Sequence, residues 1–195
     1  MALTINTNNT ASSAARYLSG THSSLQKSLN RLSSGKQINE PSDDAGGLAV
    51  SVKLSAAIKR TTAVQKNVEN AISFMQTQDG ALQNVGMVLE RMSELKMLYG
   101  DVTKSSSDKA NYNAEFTQLF TQLKSMKSEK FNGVTLFGAS LGAIGTNEDG
   151  TQKVTLSKCT IGTVISKLSV NSLGGFSLKI ATDAIATIAR YRATN

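Results

Sequence analysis

Tryptophan is absent from this 195-residue chain, and cysteine, histidine and proline occur once each. A lone cysteine, Cys159, rules out an internal disulfide. With His22 as the only histidine, the usual zinc sets of three or four thiol and imidazole ligands cannot be assembled either. A reactive thiol needs a neighbouring base and no second histidine exists to supply one, so Cys159 in "TLSKCTIG" is expected in a strand or loop and His22 on a helix surface. Aromatic residues make up 5% of the chain and hydrophobic residues 39%, below the usual proportion of about 45–50%. A thick globular core is therefore not expected, and an elongated body with less surface to bury fits better.

Long apolar runs are also missing. No stretch approaches the roughly 18 residues that a membrane-crossing helix requires, so membrane insertion is not expected. The amino end, "MALTINTNNTASSAARYLSG", lacks the basic start and apolar stretch of a cleaved secretory signal. The net charge of +7 raises nucleic acid as a partner, but the 21 basic residues are scattered, with no run of three and no aromatic platform between them. A basic coiled-coil nucleic-acid-binding protein stands as the alternative of another class, separable by the salt dependence of binding. No constellation for catalysis or cofactor binding is found, so no cofactor and no enzymatic activity are expected.

What the chain does contain is helical periodicity. Leu18, Leu25, Leu29 and Leu32 follow at steps of seven, four and three and form one apolar seam, preceded by the small residues Ala11 to Ala15. After Pro41 a longer pattern runs through Leu48, Val52, Ile58, Val68, Ile72, Met75, Leu82, Val85, Leu89, Met92 and Leu95, fading at Gly100. A pattern of this length indicates a coiled coil or bundle. A third helix carries Tyr112, Phe116, Leu119, Phe120, Leu123 and Met126 on one stripe, with Ser107 or Asp108 as its expected cap, and is expected to pack on the middle of the long helix. From Phe131 the texture changes to β-branched residues, glycines and "NEDG", which reads as short strands and turns. Helical spacing returns at Ile180, Ala184, Ile185, Ile188 and Tyr191.

Between the first two helices lies "RLSSGKQINEPSDDAGGLAVS". It does not fit a phosphate loop, because the position five before Gly35 is Asn30, Gln37 follows Lys36, and a helix rather than a strand precedes it. Glu40, Asp43 and Asp44 offer oxygens to a hard cation or to acid–base chemistry, yet no calcium-loop pattern or substrate cleft accompanies them. As a joint every residue has a use. Gly35 ends the first helix, Pro41 stops it from running through, and Ser42, Asp43 and Asp44 cap the next helix and place negative charge at its positive end.

These parts, in this order, resemble bacterial flagellin, the subunit of the flagellar filament. The resemblance covers Leu3 to about Gly138 and is carried by "LQKSLNRLSSGKQINEPSDDAGGLAVSVKL", "ISFMQTQDGALQNVGMVLERMSEL" and "EFTQLFTQLKSMKSEKFNGVTLF". It implies a mainly α fold, an elongated helical bundle or coiled coil with a small β-rich segment. Residues 1–35 would form an inner-tube helix, 36–43 the joint, 44–130 a helical shell, 131–177 a β-hairpin and strand/turn segment, and 178–195 the start of a C-terminal return helix. The implied function is a structural subunit that self-assembles into the extracellular filament for motility, exported through the flagellar type III apparatus with a chaperone and without signal cleavage. A flagellar hook-filament junction protein shares the amino-terminal pattern and is the near alternative. Other copies of the subunit are the expected partners, packing on Leu18, Leu25, Leu29 and Leu32. "LERMSEL" looks like the stretch bound by the animal Toll-like flagellin receptor, which implies Leu89, Arg91 and Glu94 as receptor contacts, with Ser93 standing where the family commonly has arginine.

Overall fold

The computed structural model describes residues 8–138, 142–156, 159–168 and 172–195. Its elements are α1 (Asn9–Ser34), α2 (Ala45–Gly100), α3 (Ser106–Met126), β1 (Lys130–Phe131), β2 (Val134–Thr135), β3 (Ala143–Gly145), β4 (Lys153–Thr155), α4 (Ile161–Lys167) and α5 (Leu178–Thr194). The fold is mainly α, with two small antiparallel hairpins, β1–β2 and β3–β4. The chain forms two compact units, Met1–Lys59 and Arg60–Asn195. The division falls inside α2 rather than at the joint.

In the first unit, the Asn8 side chain opens α1 by accepting from the amides of Thr10 and Ala11, and Gly35 closes it in the left-handed conformation, φ 65°. No residue of α1 is buried.

The second unit holds the core. One face of α2 buries Phe74, Ala81, Leu82, Val85, Leu89, Met92 and Leu95 against Phe116, Phe120, Leu123 and Met126 of α3. That contact lies along the second half of α2 rather than its middle, since the apolar residues before Phe74 stay exposed or half-buried. Phe116 is the centre of an aromatic group, its ring centroid 6.3 Å from Phe120 and 5.0 Å from Phe176. The single buried polar side chain among the described residues is Gln78, whose Nε2 donates to the Leu136 carbonyl and so fixes β1–β2 on α2. The β1–β2 turn is Asn132–Gly133, both at positive φ (48° and 81°), as a two-residue turn between twisted strands demands.

Three local readings of the sequence are corrected. "IGTVISK", expected among strands and turns, is helix α4. Ile161, Val164, Ile165 and Leu168 recur at i, i+3, i+4 and i+7, and all four are buried, so tertiary burial overrides the β-branched composition. The cap of α3 is Ser105, not Ser107 or Asp108. Its hydroxyl accepts the Asp108 amide while the Asp108 carboxylate accepts the Ser105 amide, a capping box. In α5 the buried stripe is Ala181, Ala184 and Ile188, with Ile180 on the exposed side. Cys159 lies in a loop segment, buried, and that burial pushes its thiol pKa up, which leaves it less thiolate and less reactive. His22 is exposed on α1.

Polar contacts hold the two ends of α5 to the rest of this unit. The turn before it is held from α2 by Lys96, whose Nζ donates to the Leu173 carbonyl at 2.6 Å, and from α3 by Asn113, whose Oδ1 accepts the Leu173 amide at 2.8 Å. At its far end Arg192 makes a two-pronged ion pair with Asp79, at 2.8 and 3.2 Å, and Asn195 donates to the Met75 carbonyl. These pairings run α5 antiparallel to α2.

Candidate assembly surface

Several large apolar side chains of the first unit stand exposed. Leu18, Leu25, Leu29 and Leu32 lie on one face of α1 and are between 53% and 81% exposed, with Tyr17 alongside at 78%. Burying a leucine is worth roughly 1.5–3 kcal/mol relative to leaving it in water, so an aligned row of four forgoes a large driving force. On the first turns of α2, Val50, Leu54 and Ile58 form an exposed ridge at steps of four beside the small residues Gly47, Ser51 and Ser55. A ridge of large side chains next to a groove of small ones is the geometry that accepts another helix.

The joint orients these two faces from within the first unit. Glu40 to Asp43 close a turn, the Asp43 amide donating to the Glu40 carbonyl at 3.0 Å, with Pro41 at the second position, where its fixed φ suits the turn. Asp44 alone caps α2: its Oδ1 accepts the Gly47 amide at 2.8 Å. A side chain at Gly47 would overlap the Asp44 carboxylate and press on Ile38, so glycine there leaves the capping carboxylate in place. Ser42 and Asp43 do not cap. Ser42 donates to the Glu40 carboxylate, and Asp43 reaches back to α1, where Lys27 Nζ lies at 2.5 Å and Arg31 Nη2 at 3.5 Å, while accepting the Asn39 amide. The Lys27 hydrogen bond, followed by the Asn39 amide, lowers the Asp43 pKa to about 2. Gly35 and Pro41 are where the sequence reading put them. Lys27, Arg31 and Asn39 were missed, although Lys27 and Arg31 stand four apart on one side of α1 and are the signal that could have found them. No group of three or more metal-ligating side chains occurs among the described residues.

The stretch expected to face a receptor divides in two. Leu89 is fully buried and is not part of any surface: it packs in the core with Leu82, Val85 and Met92. Arg91 stays half-exposed and fully engaged, its Nε 2.7 Å from Glu115 Oε1 and its Nη1 2.7 Å from Glu94 Oε2. Those two carboxylates raise the Arg91 pKa further. Ser93 turns its hydroxyl inward to the Leu89 carbonyl. The exposed feature is thus a Glu115–Arg91–Glu94 triad, with Glu115 contributed by α3 and absent from the sequence reading.

The bacterial flagellin N-terminal helical region matches residues 5–141. Flagellin B of Vibrio cholerae is 35% identical over 144 residues, covering 73% of this chain and 38% of that protein. The flagellar filament 30.7 kDa core protein of Treponema maltophilum is 30% identical over 212 residues, covering 97% of this chain and 74% of that protein. Among solved structures, Bacillus cereus flagellin superposes with a TM-score of 0.59 at 22% identity, over 67% of this chain and 80% of its own, which shows a shared fold. The chain spans about two-fifths of the length of the Vibrio flagellins it matches, 38% for Flagellin B. With the helix–joint–helix geometry, the exposed leucine row and a family match over most of its length, the chain belongs to the flagellin family.

Proposed function

We propose that this protein is a structural subunit of the bacterial flagellar filament that associates with copies of itself through the α1 leucine row. One observation carries the proposal: a 26-residue helix with a complete apolar stripe and no buried residue. Helices of this kind rely on tertiary packing more than on intrinsic propensity, so the stripe calls for a partner helix. The joint supports the same reading, since an ion-paired turn between two helices with uncovered apolar faces holds those faces in a defined relation for a neighbour.

Extracellular placement and export by the flagellar type III apparatus with a chaperone and without signal cleavage belong to the same proposal, which family membership supports. A structural role leaves the chain without catalytic work. A second contact, with the animal Toll-like flagellin receptor, is proposed for the Arg91–Glu94 surface, now without Leu89 and with Glu115.

The test is sedimentation and electron microscopy of the purified chain beside its Leu29→Asp/Leu32→Asp variant. The wild type is expected to form ordered polymers. The variant is expected to remain monomeric with the second unit still cooperatively folded, because both positions lie outside the core of that unit. Equal association of both proteins overturns the proposal.

A further inference from the structure

Six methionines occur in the chain, and the structure sorts the described ones by depth. Met92 is fully buried and Met126 6% exposed; Met75 is half-buried; Met87 and Met97 stand on the outer side of α2 at 53% and 63%. The other sulfur among the described residues, Cys159, is 1% exposed. Met87 lies one turn before Arg91, and Met97 three residues after Glu94, so the two exposed thioethers bracket the Glu115–Arg91–Glu94 triad.

We propose that Met87 and Met97 are preferential oxidation sites, taking two-electron oxidants of the peroxide class while the sulfurs of the core are shielded. The thioether lone pair attacks one peroxide oxygen, a sulfur–oxygen bond forms and the oxygen–oxygen bond breaks. The second oxygen leaves as water after taking up a proton, so sulfur is oxidised by two electrons and the peroxide reduced. A sulfoxide inside a core disrupts it, whereas at these positions the new oxygen projects into water. The backbone hydrogen bonds of α2 and the packing of Met92 stay as they are. What changes is the surface: each oxidised thioether gains a strong hydrogen-bond acceptor on the exposed side of α2.

The experiment treats the full chain with hydrogen peroxide and follows each methionine by peptide mass spectrometry, with circular dichroism on the same samples. Met87 and Met97 are expected to oxidise first, with Met92 and Met126 on the order of tenfold slower because they react only after local opening. Helicity is expected to be retained when both fast sites are complete. A Met87→Leu/Met97→Leu variant of matching helicity is expected to lose the fast uptake alone. Oxidation of Met92 or Met126 as fast as Met87, persistence of the fast uptake in the variant, or unfolding once Met87 and Met97 are oxidised each overturns the proposal.

Discussion

Asp43 and Lys27 are joined across the turn between α1 and α2, carboxylate oxygen to ammonium at 2.5 Å, with the Asp43 side chain only 9% exposed. This pair, with Arg31 as a more distant second cation, fastens the joint to the helix that precedes it. Because the folded pKa of Asp43 is depressed to about 2 from an ordinary 3.8, its contribution is complete above the ordinary value and is lost as pH falls through about 2. Carboxyl-detected NMR titration should therefore show Asp43 titrating near 2. In Lys27→Ala the midpoint should rise toward the ordinary range, since the largest lowering cause has been removed. A midpoint unmoved by Lys27→Ala would mean that the Asn39 amide and the remaining contacts, not Lys27, hold the carboxylate.

The cap of α2 makes a second, separate prediction. Gly47→Ala places a methyl group where the Asp44 carboxylate sits, and Asp44→Ala removes that carboxylate outright. Both should cost the first turn of α2 about 1 kcal/mol, the usual value of an N-cap. The two changes remove the same hydrogen bond, so the double variant should lose little more than either single one. Amide exchange at Gly47 and Leu48 reads the effect directly, and fully additive losses would contradict it.

Periodicity made the helices legible, because each apolar stripe must find cover and α1, α2 and α3 carry theirs in plain spacing. It could not say which stripes are covered from within. Leu29 and Leu89 look alike in sequence, yet one is exposed and the other is sealed in the core that α2 shares with α3. The joint was legible for Gly35, Pro41 and Asp44, whose roles are local backbone chemistry. Asp43 was misread because its partners are on α1, more than ten positions away, and adjacent aspartates before a helix look like a shared cap. Helix α4 was missed because its β-branched residues follow strand propensity, and only the buried Ile161–Val164–Ile165–Leu168 spacing tells otherwise.

Core and assembly positions should respond in opposite ways. Phe116→Ala removes the ring that contacts both Phe120 and Phe176 and should cost about 3–5 kcal/mol in denaturant unfolding. Gln78→Leu strands the Leu136 carbonyl in the interior and should cost roughly 1–3 kcal/mol. Leu29→Ala, on the uncovered row, should change the unfolding of the monomer by less than about 0.5 kcal/mol while weakening association. A monomer destabilised as strongly by Leu29→Ala as by Phe116→Ala would place the leucine row inside the fold.

The last prediction concerns the triad on the face of α2. Arg91 is held by two carboxylates, one from its own helix and one from α3, so its guanidinium is fixed in place before any partner arrives. A preorganised charged group loses little freedom on docking, which is the condition under which truncating it costs most. Arg91→Ala should therefore weaken binding of the monomer to the Toll-like flagellin receptor. A change of about 1.4 kcal/mol is tenfold in affinity, and a central contact should reach at least that. Ser93→Arg should act in the opposite direction. It gives up the inward hydroxyl bond to the Leu89 carbonyl and brings a second guanidinium next to Glu94 and within three residues of Glu90. Glu115→Gln separates positioning from contact: if Glu115 only holds Arg91, the substitution should weaken binding less than Arg91→Ala and have no further effect in an Arg91→Ala background. Surface plasmon resonance on monomeric protein reads all three variants, and an affinity indifferent to both Arg91→Ala and Ser93→Arg would remove this face from the receptor contact altogether.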